Sequence, residues 1–315
     1  MTSVHGDSTA GQRGPAVDDA TAGRRTQTIA TEARRIFIHV RWPVQSYVLL
    51  GFLFGSIIAQ HSVTGRAVLG LVSWFLICAG LTVFNAYYDK DEDPVGGMAN
   101  PPKVTISLLY ASLAMQGVGL LIAVALGGLF LYLAIFVIVL YILYSHRAFR
   151  FKANGYAAVS INAVLGALTV LAASSLGPAA NTTALVLAML CAAFFKASVY
   201  MMMQLHQIQE DKVRGDISVA VMYGRNTTLR AAMLFIALAG ICAAASLVVS
   251  MDAYVLAVLT LGYLCLIGYR FHVWLGRPEQ PQQDYLMVRQ MVALSGYLGS
   301  VICLGAFLYF NAVGY

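Results

Sequence analysis

Charge is scarce in this chain. Asp, Glu, Lys and Arg together make up 11% of its 315 residues, while hydrophobic residues make up 59%. An ordinary soluble domain carries about 25% charged residues, so that class is excluded and a helical membrane protein is indicated. Cysteine is sparse too. Cys78, Cys191, Cys242, Cys265 and Cys303 all fall inside apolar runs with no paired spacing, so neither a disulfide framework nor a zinc site is suggested. No histidine pair accompanies an acidic cluster, and His206 is expected to pack beside a polar stripe instead of binding a metal. The first 40 residues lack an apolar core of the signal-peptide kind. Residues 1–35 are therefore read as a disordered tail, and 36–315 as a single membrane domain.

What the chain does have is nine apolar runs, at roughly 44–60, 67–88, 104–127, 128–145, 155–175, 182–205, 228–250, 252–274 and 290–312. Each approaches the ~20 residues that a helix needs to cross a hydrocarbon core of about 30 Å. The expectation is an all-α polytopic membrane protein with nine transmembrane helices around a central cavity. With the N-terminus inside, eighteen of the twenty basic residues fall in the tail and in alternate loops; Arg66 stands alone outside and Lys196 within a span. Basic residues accumulate on the cytoplasmic side, so the tail and the acidic loops are expected there, in the plasma membrane of a bacterial cell. The net charge of +6 then reflects topology and lipid headgroups, and no nucleic-acid partner is expected.

The acids are not scattered. Four follow the second run, in Asn85-Ala-Tyr-Tyr-Asp89-Lys-Asp91-Glu92-Asp93, and three follow the sixth, as Glu210, Asp211 and Asp216. Asn85 and Asp89 are one turn apart on one helix face. Asp93 keeps the spacing but precedes Pro94, which pushes it out of the helical region, so it is expected to fold over from the loop. Asp91 points away and is the least suited to be a ligand. Oxygen donors without His or Cys suit Mg²⁺, which takes a few carboxylates and completes its shell with water and phosphate oxygens.

Lys196 is the one cation within a span. It costs about 2.5–3.5 kcal/mol on insertion scales, so such a residue faces a bundle interior and is a functional candidate. On a regular helix Lys196, Tyr200, Gln204, Gln207 and Asp211 fall within an arc of about 80°, a stripe suited to the wall of a polar cavity. Arg41, Arg150 and Lys152 are candidates to hold a phosphate group, each with positive-inside placement as the plain alternative. Asn162 and Gln116 are intramembrane polar residues that more often join helices.

Asn85-x3-Asp89-x3-Asp93 after the second run, with a second acidic motif after the sixth of nine, resembles the UbiA superfamily of intramembrane prenyltransferases. The resemblance covers nearly all of residues 36–312. It includes Arg41-Trp-Pro43 before the first run and Tyr144-Ser-His-Arg-Ala-Phe-Arg150-Phe-Lys152 after the fourth. It also includes Gly215-Asp-Ile-Ser218-Val-Ala-Val-Met-Tyr-Gly224, similar to the family's Gly-x2-Thr-x2-Val-x2-Gly run. The family usually has Asp-x3-Asp in the second motif, and here Gln207 takes the first position and Asp211 the second. A neutral amide binds Mg²⁺ more weakly, so a second ion there is in question, with Glu210 and Asp216 as flanking compensation.

The resemblance implies a Mg²⁺-dependent enzyme that transfers an isoprenoid group from a prenyl diphosphate to a lipophilic, aromatic acceptor. Asp89, Asp93, Asp211 and Glu210 would hold metal, and Asp89, Asp93, Asp211 and Lys196 would be the catalytic set. Asn85, Arg41, Arg150, Lys152, Tyr200, Gln204, Gln207 and Asn162 would contact the diphosphate or prenyl group. The alternatives are a terpene cyclase built on the same ionisation, which the altered second motif favours, and a membrane transporter, which acids confined to helix ends disfavour.

Overall fold

A computed structural model describes residues 30–59, 63–90, 98 and 100–313. The regular structure among the described residues is helical, and a parallel bridge joins Asn154 to Ile217. Helix α1 (Ala30–His39) meets α2 (Trp42–Ile58) at a 53° bend. The next five are α3 (Gly65–Asp89), α4 (Ile106–Leu126), α5 (Gly128–Ser145), α6 (Gly155–Ser174) and α7 (Thr182–Met203). A short α8 (Ile208–Arg214) precedes α9 (Val219–Met251) and α10 (Tyr254–Leu275). Then α11 (Pro281–Val292) passes through a π-helical stretch, Ala293–Leu298, into α12 (Gly299–Val313).

Among the described residues eight helical runs are long and apolar enough to cross a membrane, and nine if the bent α1–α2 pair counts as one. The ambiguity is a matter of length. The 17 residues of α2 rise about 26 Å at 1.5 Å each, slightly less than a 30 Å core. Helices suit this chain because lipid offers backbone groups no partner, so every N–H and C=O must be satisfied within the segment.

Two expectations need correction. Residues 30–35, read from the sequence as tail, form the first turns of α1, where Glu32 accepts hydrogen bonds from Thr105 (3.0 Å) and Ser107 and pairs with Arg35. Local contacts to the start of α4 hold this segment, and a composition argument could not see them. Arg225, counted among the loop cations, is buried at 3% exposure, because α9 begins at Val219 and only bends at Gly224 (φ 76°).

Small residues let the helices approach closely. A Cβ on Gly80 of α3 would lie 2.8 Å from the Ser112 carbonyl of α4, and one on Gly119 of α4 would lie 2.8 Å from the Ser73 carbonyl of α3. Ser73 donates to the Gly119 carbonyl at 2.6 Å across this interface, whereas the Gln116 amide bonds to Ser112 at 3.2 Å within α4 itself, so its hydrogen bond does not join the two helices. Successive helices pack in turn from α3 to α7, then α7 on α9 and α9 on α10, while α2 closes the ring against α3, α6 and α12. One core lies among Phe52, Trp74, Ile77 and Phe130, another among Met202, Leu229, Phe271 and Trp274. The cavity lies between them.

Candidate functional site

The site starts at the end of α3. Asn85 donates to the Asp89 carboxylate at 2.6 Å one turn on, and its own carbonyl oxygen accepts from Ser145 of α5 at 2.8 Å. Asp89 is thus aimed by its helix neighbour, and α3 stops at once in the left-handed Lys90 (φ 53°). Arg150 (φ 45°) makes a second left-handed turn after α5 and starts the 3₁₀ turn Phe151–Ala153. That turn delivers Lys152, whose ammonium pairs with Asp89. Burial pulls Lys152 down to about 7, with Asp216 opposing the shift.

Backbone bonds bring the second acidic loop to the same place. Ile217 N–H donates to the Ala153 carbonyl at 2.9 Å, and Gly155 N–H donates to the Ile217 carbonyl at 2.7 Å. This approach needs a glycine, since a Cβ at position 155 would sit 2.7 Å from the Val219 nitrogen. Asp216 is carried in by that stitch. Its Oδ2 accepts from Arg150 at 3.0 Å, while its Oδ1 is buried without a hydrogen-bond partner among the described residues.

The stripe from Lys196 to Asp211 does not run on one regular helix. Helix α7 ends at Met203, and Gln204 leads into a 3₁₀ turn, Leu205–Gln207, with Gln207 N–H donating to the Gln204 carbonyl at 3.1 Å. Nevertheless Lys196, Tyr200, Gln204, Gln207 and Asp211 all line one cavity. The bend, not the helical period, keeps them together. Tyr200 accepts from the Tyr144 hydroxyl at 3.2 Å, and the Lys196 ammonium sits 5.7 Å from the Tyr47 ring centroid.

The cavity has a volume of about 310 Å³. Asn85, Asp89, Lys152, Gln207, Asp211, Arg214 and Asp216 line its charged end, and Arg41 and Asn162 also reach the wall. Gly51, Phe54, Trp74, Phe195, Tyr263 and Cys303 are among the residues of its apolar remainder. Two expected site residues are not on the wall. Arg150 spends its guanidinium on Asp216 with its side chain 40% exposed, and Glu210 turns to Arg214 one turn away on α8. Asp93 and Asp91 lie outside the described residues. His206 packs beside Tyr285, with ring centroids 5.5 Å apart and the planes tilted by 59°. Sequence reasoning gave Asp216 only a flanking role and did not single out Arg214, Tyr47 or Ser145. A signal existed only for Asp216, as an acid inside a glycine-bounded loop.

Among the described residues no three His, Cys, Asp or Glu side chains form a metal-holding group. The donors that reach the charged end are nevertheless all oxygens. They include the Asp89 and Asp211 carboxylates and the partnerless Oδ1 of Asp216. Mg²⁺ is ordinarily held by one or two carboxylates, with waters and substrate phosphates completing its shell, so this donor set fits that ion.

Solved structures share this fold. A UbiA homologue from Archaeoglobus fulgidus bound to GPP and Mg²⁺ is 20% identical, with a TM-score of 0.66 over 85% of this chain and 99% of that one. The same homologue bound to DMAPP and Mg²⁺ gives 0.64 at 19% identity, again over 85% and 99%. An apo UbiA homologue from Aeropyrum pernix K1 gives 0.58 at 17% identity over 82% and 98%. At such identities these likenesses establish the fold. No curated protein matches. The model of the UbiA prenyltransferase family matches residues 48–295, a stretch that holds both acidic motifs, the Lys152 turn and the Lys196 wall, and the chain belongs to that family.

Proposed function

We propose that the protein is a Mg²⁺-dependent intramembrane prenyltransferase that moves an isoprenoid group from a prenyl diphosphate to a lipophilic acceptor. One observation carries this reading: a single cavity has carboxylates and cations at one end and an apolar, aromatic-lined body at the other. A molecule with a diphosphate head and a hydrocarbon chain matches that polarity along its length. The solved relatives bound to GPP or DMAPP with Mg²⁺ add support.

Asp89 and Asp211, with Asp93 from the adjoining loop, would hold the metal, and Asp216 would offer its free oxygen. Bound Mg²⁺ supplies neutralisation of the departing diphosphate, a Lewis-acid role. Lys152, Arg214 and Arg41 share the leaving-group charge. Lys152 does so by letting go of Asp89, since one ammonium cannot serve both at full strength. When the C1–O bond breaks, its electron pair leaves with the diphosphate, and the allylic cation stays among the rings of Tyr141, Tyr144 and Tyr200, whose faces attract positive charge. Gln204 and Asn162 complete this wall. The apolar remainder keeps water from the cation until the acceptor attacks C1.

A cyclase acting on the same diphosphate is the second reading, favoured by Gln207 in place of a carboxylate. Lys196 weighs against it, because an ammonium on the cavity wall repels a cation that migrates along the chain. Membranes of the native host, which supply the acceptor along with the protein, and purified protein in nanodiscs without one, each given geranyl, farnesyl or geranylgeranyl diphosphate and Mg²⁺, test both. Release of diphosphate that disappears in Asp89→Asn supports the reading, and a cyclic hydrocarbon without any acceptor identifies a cyclase. No release from any of the three overturns prenyl chemistry. The charged end is proposed to face the cytoplasm of a bacterial cell, following the basic-residue bias. A cysteine at position 103 should then be labelled from inside and one at position 179 from outside.

A further inference from the structure

The cavity wall holds one charge that diphosphate chemistry does not use. Lys196 lies on α7 (Thr182–Met203), eight residues before Gln204 and so about 12 Å from it along the helix axis. Its ammonium is not paired with Asp89 or Asp211. It lies over the Tyr47 ring, 5.7 Å from the centroid, and makes no ion pair or hydrogen bond among the described residues.

The surroundings hold this pair in place. The Tyr47 hydroxyl bonds to Ser295 Oγ at 2.9 Å, and Ser295 belongs to the π-helical stretch Ala293–Leu298. Such stretches are rare and occur often at functional sites. Tyr263, also on the cavity wall, donates to the carbonyls of Leu294 (3.1 Å) and Ser295 (2.8 Å). Across the cavity the Trp74 indole N–H is taken by Thr169 at 3.1 Å. The polar atoms of Tyr47, Tyr263 and Trp74 are therefore spoken for, and Lys196 offers a charged donor to a guest in this part of the wall. A hydrocarbon chain needs no such donor, and an intramembrane ammonium facing a cavity is a binding group by default.

We propose that Lys196 and Tyr47 form a second polar subsite, separate from the diphosphate end, which anchors the acceptor by an anionic oxygen, either a carboxylate or an ionised hydroxyl. This rests on the prenyl-transfer reading. Lys196 is then a specificity-determining residue. It admits acceptors with an anionic head, disfavours neutral lipids, and fixes which carbon of the acceptor faces C1 at the charged end.

The test is ligand-induced stabilisation of the purified full-length protein in neutral detergent, with three lipophilic probes of one chain length: 4-decylbenzoate, 4-decyl-2,6-difluorophenol, whose hydroxyl is ionised in mildly alkaline buffer, and methyl 4-decylbenzoate. Wild type is expected to be stabilised by at least one anionic probe at a tenfold lower concentration than by the ester. The benzoate arm succeeding alone identifies a carboxylate, and the phenolate arm alone identifies an ionised hydroxyl. Lys196→Met should reduce the anion's effect to that of the ester, and Lys196→Arg should keep the preference. Equal stabilisation of wild type by all three probes, or an anion preference that persists in Lys196→Met, overturns the proposal. Serine in place of Thr169 or alanine in place of Cys303 controls for general loosening of the cavity. Failure of the underlying prenyl reading shows separately, as absent diphosphate release by wild type.

Discussion

Asp216 and Asp284 each pair with an arginine, yet the two pairs are built for different ends. Asp284 and Arg225 are both 2% exposed at the side chain. Arg225 Nε lies 3.0 and 3.1 Å from the two Asp284 oxygens, and the Trp274 indole donates to Asp284 at 2.6 Å. The remaining guanidinium nitrogens go to the Trp274 carbonyl and to Asn226. Every strong group is satisfied, and none of these residues lines the cavity. Asp216, by contrast, keeps one oxygen without a partner and faces the cavity, while Arg150 leans out toward solvent. A saturated network fixes α9, α10 and α11 to one another. An unsaturated one keeps capacity for a ligand, at some cost in stability, since a buried polar atom without a hydrogen bond is unfavourable.

Variants can break or sharpen this contrast. Asp89→Asn should cut prenyl transfer by about 1000-fold, several kcal/mol of transition-state stabilisation, with an unfolding temperature close to wild type, measured as diphosphate release and by thermal unfolding. Arg225→Met should do the reverse, lowering stability by about 3–5 kcal/mol because it leaves a buried carboxylate uncompensated. Arg225→Met combined with Asp284→Leu should regain most of that loss, as replacement of both partners by apolar groups often does. If the double variant is as unstable as the single one, the network does more than balance charge. Asp211→Asn should cost about 100-fold in turnover, a metal ligand's share of the same stabilisation. Gln207→Asp should lower the Mg²⁺ concentration for half-maximal rate a few-fold, because it restores a carboxylate; a titration in which the requirement rises would show that Gln207 is not on the metal side. Glu210→Gln should change turnover less than about twofold, since a pair of this kind on one helix contributes little.

The contrast also explains what could be read in advance. The membrane class and nearly every span were legible because apolar length is a local signal. Asn85 and Asp89 were legible because they are four apart on one helix. The bend at Gln204–Gln207 was not, as no glycine or proline marks it. The pairing of Arg225 with Asp284 was hidden for a different reason: 59 positions separate them, and each alone looks like an ordinary loop charge. Asp216 was ranked below Glu210 because both flank Asp211, and only the distant backbone of Ala153 and Gly155 decides that Asp216 faces inward while Glu210 pairs with Arg214.

The stitch between Ala153, Gly155 and Ile217 also has a consequence in time. The ribosome must make more than 60 further residues after Gly155 before Ile217 can reach it, which takes roughly 3–12 s at 5–20 residues per second. Throughout that interval the Lys152 turn and the Asp89 helix end are already made, while Asp216 does not yet exist. The newborn chain therefore carries a half-assembled pocket until α8 emerges. Slowing or hastening translation between α6 and α8 should alter the yield of correctly joined protein more than the same change made after α10.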